Sequence, residues 1–342
     1  MKALVLQKFG TIVVEERPDP FPAAGEVLLA LIATGICGSD LHGFTGANGR
    51  RVPGQVMGHE SVGRVLALGD GVSGPAVGTL VTFNPVVIPE ADASDWAGRE
   101  HQHPAKTVIG VAPDVVAAFA QLITVPARNV VPLPEGMPVN HGALVEPVAV
   151  AVHAVNRVGA ATARSALVIG GGPIGQSLVL ALTRAGVQHV LVSEVDPARR
   201  ALLQQLGATA LDPSAGPVAG QVSAQLGEPA DVAFDAVGIS ASLADALAST
   251  RPGASVCLVG MGRPRLELDA YAISTAERSV VGSFTYSADD FRTAVDVVAS
   301  APDVAEALIS RVVDLGEGPA AFTALAAGDG TPGKVLVNLE EH

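Results

Sequence analysis

The sequence predicts an α/β protein in which a β-rich domain is followed by a doubly wound parallel sheet. Three observations point there. From about residue 165 short apolar runs alternate with helix-like segments, the pattern of βαβ units. The turn Gly170-Gly171-Gly172-Pro173-Ile174-Gly175 sits between the first such strand and the helix after it, which is the context a dinucleotide-binding G-x-G-x-x-G requires. Before about residue 150 the chain instead shows short strand-like runs separated by Gly and Pro.

The length of 342 residues fits two domains, because single cores rarely grow beyond ~250–300 residues. In the leading domain Ala3–Leu6, Ile12–Glu15, Glu26–Ile32 and Gly63–Leu68 carry β-type patterning. Pro18-Asp19-Pro20, Ala24-Gly25 and Gly69-Asp70-Gly71 supply turns. Residues 84–113 form a polar, Pro-containing excursion with Trp96, His101 and His103. Histidines alternating in such a loop are expected to be solvent-exposed rather than metal-binding. Ala120–Val125 is strand-like, and His141–Val155 reads as a buried helix carrying Glu146. A carboxylate in so apolar a run is costly unless paired or metal-bound.

In the second domain Ala166–Ile169 is a strand, Gln176–Ala185 a helix and Val190–Ser193 a strand ending at Glu194. Asp196-Pro197 offers a cap and first-turn proline for the next helix. Thr209–Leu211, Val232–Asp235, Ser255–Val259 and Ser279–Phe284 complete six strands, with helices at about 215–226 and 240–250. Ala288–Ala301 and Gly318–Ala327 read as helices and Lys334–Leu339 as a terminal strand. That tail fits no seventh unit and is expected to return to the first domain. The expected domains are residues 1–150, 151–287 and 288–342.

Composition excludes some classes. A formal charge of -13 argues against a nucleic-acid or anionic-membrane partner. Two cysteines make no disulfide framework, so a reducing compartment is expected. The opening run Met1–Lys8 is too short for a signal peptide. Ser165–Thr183 is uncharged, but Gly170-Gly171-Gly172-Pro173 interrupts it, so no membrane span is expected. A soluble cytoplasmic protein is the expectation.

In the dinucleotide turn Gly170 permits the tight bend, Gly172 lets backbone approach a pyrophosphate and Gly175 allows close helix–sheet packing. Pro173 and Ile174 open the helix, whose N-terminus offers amide donors. Glu194 is placed to accept hydrogen bonds from ribose hydroxyls and to repel a 2′-phosphate, favouring NAD; Arg199 and Arg200 could soften that preference. Val237, Val259, Gly260 and Met261 follow strands four and five, where the ligand crevice of such sheets lies. Cys257 reads as a core residue.

Cys37, His59 and Glu146 offer a thiolate, an imidazole and a carboxylate, the donors of a catalytic zinc site. Ser39 and His42, close to the thiolate, could carry a proton from an alcohol towards water. Alone each has a bland reading: an isolated Cys is usually a small buried hydrophobe, and Gly-His-Glu could be a turn. Their combination with the dinucleotide turn is what speaks for function.

Assembled, Gly35-Ile36-Cys37-Gly38-Ser39-Asp40-Leu41-His42, Gly58-His59-Glu60, Glu146-Pro147 and Gly170–Gly175 make the chain resemble zinc-dependent medium-chain dehydrogenases over nearly its whole length. It most resembles their polyol branch: sorbitol, 2,3-butanediol and threonine dehydrogenases. The resemblance implies a GroES-like catalytic domain, a Rossmann domain and a C-terminal return. It implies zinc ligands at Cys37, His59 and Glu146, an adjacent acid at Glu60, Asp40 orienting His59, and a proton relay through Ser39 and His42. It also brings Ser283 and Phe284 near cofactor and substrate. The implied reaction is hydride transfer between a secondary alcohol, a diol or polyol, and NAD, in a homodimer or homotetramer.

One departure is plain. Relatives often hold a structural zinc with four cysteines after the barrel strands, but no cysteine lies between Cys37 and Cys257. One zinc per chain is therefore expected. The alternatives are a zinc-free quinone or enone reductase of the same fold and a non-enzymatic nucleotide-binding protein.

Overall fold

In the computed structural model, which describes residues 1–47, 49–113 and 116–340, the chain divides into two compact units. One joins Met1–Glu146 to the segment from Ser287 onward, and the other is Pro147–Tyr286. The expected third segment runs two residues further, to 342, outside the described residues.

The first unit opens with a hairpin, β1 (Lys2–Lys8) and β2 (Thr11–Glu16), followed by the long strand β3 (Glu26–Gly35). A helix absent from the sequence reading, α1 (Gly38–Thr45), comes next. Its glycines at positions 38 and 43 interrupt the helical period, and helix propensity is weak there, while Gly46 just beyond closes it in the left-handed conformation. Tertiary packing holds it: Phe44 is buried against Phe322, ring centroids 5.8 Å apart. Then follow β4 (Glu60–Leu68), β5 (Leu80–Phe83), β6 (Val86–Val87), β7 (Thr107–Val108), β8 (Leu122–Pro126) and β9 (Val130–Pro132). A 3-10 turn (Val139–Leu144) leads into α2 (Val145–Arg157), which carries Glu146 in its first turn.

The second unit is a six-stranded parallel sheet: β10 (Ser165–Ile169), β11 (His189–Ser193), β12 (Thr209–Leu211), β13 (Ala230–Asp235), β14 (Thr250–Leu258) and β15 (Ser279–Gly282). Its order, β12-β11-β10-β13-β14-β15, reverses direction beside the first strand. That is the doubly wound arrangement, with its ligand crevice at the carboxyl ends. The crossovers include α3 (Pro173–Arg184), α4 (Pro197–Gln205), α5 (Val218–Leu226), α6 (Ser240–Ala248) and the short α7 (Ala270–Ser274). Asp196 caps α4 by accepting the Arg199 N–H at 2.9 Å. Leu167, Leu191, Val222, Leu243 and Val256 lie in its core. Cys257 is buried too, and burial pushes its thiol up to about 12, which suits packing rather than chemistry.

The chain then supplies α8 (Ala288–Ala299), α9 (Pro302–Leu308), β16 (Ile309–Asp314), α10 (Gly318–Ala326) and β17 (Lys334–Asn338). In the first unit's seven-stranded sheet the order is β16-β17-β3-β4-β5-β9, with β8 also on β3. The pairing of β17 with β3 is antiparallel. The sequence reading has no counterpart of the α9–β16 pair, although Pro302 at its first position signals the helix.

The 84–113 excursion corrects one expectation. His101 and His103 are buried, at 8% and 4% exposure. The ring of His103 accepts the Ala105 N–H at Nδ1 (3.0 Å), which leaves Nε2–H to donate to Asp92 at 3.2 Å. Trp96 meets it edge-on at 4.8 Å, and the Arg99 guanidinium lies over Trp96 at 5.2 Å. A loop without cysteines needs some such internal anchor, and a buried imidazole with both nitrogens engaged provides it. His103→Ala should cost about 1–3 kcal/mol in denaturant unfolding, from two lost hydrogen bonds and a cavity. It should also admit limited proteolysis within residues 88–106; unchanged stability and digestion would contradict this account.

Candidate metal and dinucleotide sites

The register of β3 assembles the first site. Gly35 lies opposite Glu60 on β4 and opposite Leu336 on β17. Cys37 therefore leaves β3 beside His59, which precedes β4, and beside Lys334, which opens β17. Cys37 is the N-cap of α1, and its backbone N–H donates to Asp40 Oδ2 at 3.2 Å. Donor atoms of Cys37, His59 and Glu60 lie within 4.8 Å of one another. Glu146 is buried at 7% exposure and close enough for its charge to act on both His59 and Lys334.

Burial works against an imidazolium at His59, but Asp40, the Cys37 sulfur and Glu146 together hold its pKa well above the ordinary value. Burial raises Asp40, and the neighbouring His59 and Arg51 partly offset it. Burial likewise opposes charge on Lys334, yet Glu60, Cys37 and Glu146 hold it above its ordinary range. Glu60 and Lys334 form a buried ion pair, with Nζ also donating to the Ile36 carbonyl at 3.4 Å.

These residues fit a divalent cation. With the Cys37 thiol and the carboxyls of Asp40, Glu60 and Glu146 ionised, two permanent cations, Arg51 and Lys334, leave two negative charges uncompensated. A thiolate, an imidazole and a carboxylate are zinc donors. His59 Nδ1 is buried without a hydrogen-bond partner and faces Asp40 Oδ1 at 3.7 Å, the kind of acid that orients a metal-bound imidazole. Ser39 and His42 lie on the less buried side of α1, three residues apart, with Asp40 and Gly43 facing inward.

In the second unit Gly170 has φ of +96°, and a side-chain carbon at Gly175 would fall 1.9 Å from the Gly170 carbonyl oxygen. At Gly172 it would meet Arg199 Nη1 at 3.8 Å and otherwise, among the described residues, open space. That space is what a pyrophosphate needs above a helix that opens at Pro173 and Ile174. Both oxygens of Glu194 serve the backbone, accepting Gly171 N–H at 2.7 Å and Asp196 N–H at 2.8 Å. Carboxylate oxygens have lone pairs to spare for ribose hydroxyls. Arg200 is committed to Asp212 at 2.8 Å, whereas Arg199 stands 4.0 Å from Glu194 and is partly exposed. Asp235, fully buried, ties the loop bearing Val237 by accepting Val237 and Gly238 N–H groups, both at 2.9 Å. Its backbone carbonyl accepts from Val259 and Gly260. Met261 and Phe284 are exposed and Ser283 is buried.

Sequence reasoning missed Arg51 and Lys334. An Arg50-Arg51 pair shortly before His59, and a lysine opening an apolar strand, are the only signals, and both resemble ordinary surface charge.

Comparison with known proteins agrees with this geometry. A family described as alcohol dehydrogenase GroES-like domain matches residues 23–135, and one described as zinc-binding dehydrogenase matches residues 173–300. The chain is 30% identical to a probable D-xylulose reductase A of Emericella nidulans, across 96% of this chain and 94% of that one. It resembles 2R,3R-butanediol dehydrogenase from Bacillus subtilis (TM-score 0.90, 27% identity, 99% of each chain). It also resembles a structure described as a zinc-binding dehydrogenase from Sinorhizobium meliloti bound to NADP (0.88, 30%, 98% of each chain). The chain belongs to the zinc-dependent medium-chain dehydrogenases, in their polyol branch. It is an oxidoreductase that passes hydride between a secondary alcohol and a nicotinamide dinucleotide.

The pH sign follows from His59. An imidazolium held above its usual 6.5 stabilises the fold below that value and stops doing so as pH climbs through the raised one. Chelator-treated protein should therefore lose thermal stability as pH rises above about 6.5 and through the raised His59 value, and His59→Gln should flatten that slope. Zinc must displace the same proton, so its affinity should rise about tenfold per pH unit over the window. A pH-independent affinity would contradict the assignment.

Proposed function

We propose that this enzyme oxidises a vicinal diol or polyol with NAD, using one zinc held by Cys37, His59 and Glu146. The observation that carries the reading is the half-buried Cys37 thiol beside a buried imidazole and buried carboxylates, whose net negative charge matches one divalent ion. A zinc ion held there would supply Lewis acidity at the alcohol oxygen, and a bound nicotinamide dinucleotide would supply the hydride acceptor. The protein supplies the rest. Asp40 orients the imidazole of His59. Ser39 takes the hydroxyl proton and hands it to His42, which is exposed and returns it to water. The carbinol C–H electrons leave as hydride while the O–H proton leaves by this separate path, so alcohol and oxidised dinucleotide become ketone, reduced dinucleotide and a proton. Glu60 stays with Lys334 and adjusts the charge beside the ligands.

The turn from Gly170 to Gly175 takes the pyrophosphate, and Val237, Val259, Gly260, Met261, Ser283 and Phe284 take the remainder of the dinucleotide. Glu194 favours NAD. Arg199, standing near the turn, is the group that would soften this, and Glu194→Ala should lower the NAD-over-NADP ratio of kcat/KM at least tenfold. The substrate class rests on D-xylulose and butanediol being named for the relatives above.

Among the described residues no helix is long and apolar enough to cross a membrane. We read the protein as a cytoplasmic homo-oligomer. The edge strand β15, with Val280 exposed at 38%, suits a second copy.

Cys37→Ser should lose bound zinc by elemental analysis and at least a thousandfold in turnover with a panel of diols, polyols and hydroxy acids. A variant that keeps both would defeat the proposal. Glu146→Gln should lower zinc affinity more than Glu60→Gln; the reverse order would move the third ligand to Glu60.

A further inference from the structure

A second residue set lies behind the ion-binding group. Arg51 is only 3% exposed, yet its Nε and Nη2 hydrogens are buried without hydrogen-bond partners. These two nitrogens form one edge of the guanidinium fork, the edge that grips a carboxylate with two parallel bonds. The acid in front of it is Asp40, fully buried, with Nη2 3.8 Å from Oδ1. Oδ1 is itself unpartnered, and so is His59 Nδ1, 3.7 Å from it. One unpartnered acceptor thus faces two buried donors, Arg51 Nη2 and His59 Nδ1, each slightly beyond hydrogen-bond reach. The other oxygen of Asp40 already accepts the Cys37 N–H.

The path of Arg51 to this point is built in. Its side chain crosses the inner face of α1 where Gly43 leaves a gap. A side-chain carbon on Gly43 would come within 2.4 Å of Arg51 Cγ and 3.0 Å of Met57 Sδ. Gly43 is one turn beyond Asp40, so the gap aims the guanidinium at that carboxylate. A buried cation with unpartnered hydrogens is expensive, and Asp40 is the group beside it that can satisfy them.

We propose that Arg51 is a positioning residue for zinc: it clamps Asp40, and Asp40 fixes both the ring of His59 and the backbone of Cys37. Arg51 itself does not touch the ion. This rests on the zinc reading above and adds a residue to it.

The test is zinc affinity by chelator competition, with the visible spectrum of the cobalt(II)-substituted protein as a second readout of ligand geometry. Arg51→Met should weaken zinc binding about 10–100-fold, the range for loss of a partner behind a metal ligand, and alter the cobalt bands. Arg51→Lys should recover only part of the affinity, because an ammonium lacks the fork. Gly43→Ala provides a second route: it keeps every charge but displaces Arg51, and helix α1 tolerates alanine. It should weaken binding in the same direction. In an Asp40→Asn background Arg51→Met should change affinity by less than about threefold, because an effect passed through Asp40 has nowhere left to act. Equal losses from Arg51→Met in both backgrounds, or wild-type affinity and spectrum in Arg51→Met and Gly43→Ala, would overturn the proposal while leaving the zinc reading intact. A wild-type protein that takes up no zinc would overturn both.

Discussion

The register at the end of β3 is the constraint on which the metal group depends. Gly35 is flanked by Glu60 from one strand and by Leu336 from a strand near the far end of the chain. A slip of one residue would turn side chains to the opposite face of the sheet. It would separate Glu60 from Lys334 and carry His59 away from Cys37. Gly35 helps hold the pairing, since a side-chain carbon there would sit 2.3 Å from Glu60 Oε2. The C-terminal return is therefore part of the site, because it delivers the cation that keeps a buried acid beside the thiolate.

The same end of the sheet shows how an acid-rich interior is made tolerable. Asp40 faces Arg51, and Glu60 is paired with Lys334. Neither cation is a metal donor at ordinary pH, since guanidinium and ammonium have no lone pair to give. Their work is to let carboxylates remain buried without collapsing onto one another. The dinucleotide turn uses backbone amides for a related purpose. Glu194 and Asp235 spend their oxygens on loop N–H groups, which fixes those loops before any cofactor arrives.

The sheet of the second unit was legible almost strand by strand, because buried parallel strands and their glycine punctuation are local signals. Cys37, His59 and Glu146 stood out in the sequence through their motifs, and the structure brings Cys37 and His59 together with Glu60. The chain's fold-level return was legible only as a tail that fitted no further unit. Helix α1 was not, since two glycines interrupt its period and Phe44 stabilises it through a residue far away in sequence. The burial of His101 and His103 was read wrongly because loop composition says nothing about a ring whose partners are Asp92, a backbone amide and Trp96. Arg51 and Lys334 lay beyond reach for the same reason: their roles exist only once strands from distant parts of the chain are laid side by side.

That dependence bears on which acid completes the metal group. Glu60 is near enough to Cys37 and His59 to serve. Giving its charge wholly to an ion would leave the buried ammonium of Lys334 uncompensated, and breaking such a pair costs several kcal/mol, about 3–5. Glu146 comes from a different element, the first turn of α2, where the helix dipole already favours a carboxylate. It can serve an ion without stripping Lys334 of its partner. On the proposed reading the cheaper arrangement would have Glu146 at the ion and Glu60 held back by Lys334, so that the strand returning from the C-terminal segment would decide how many acids a metal meets.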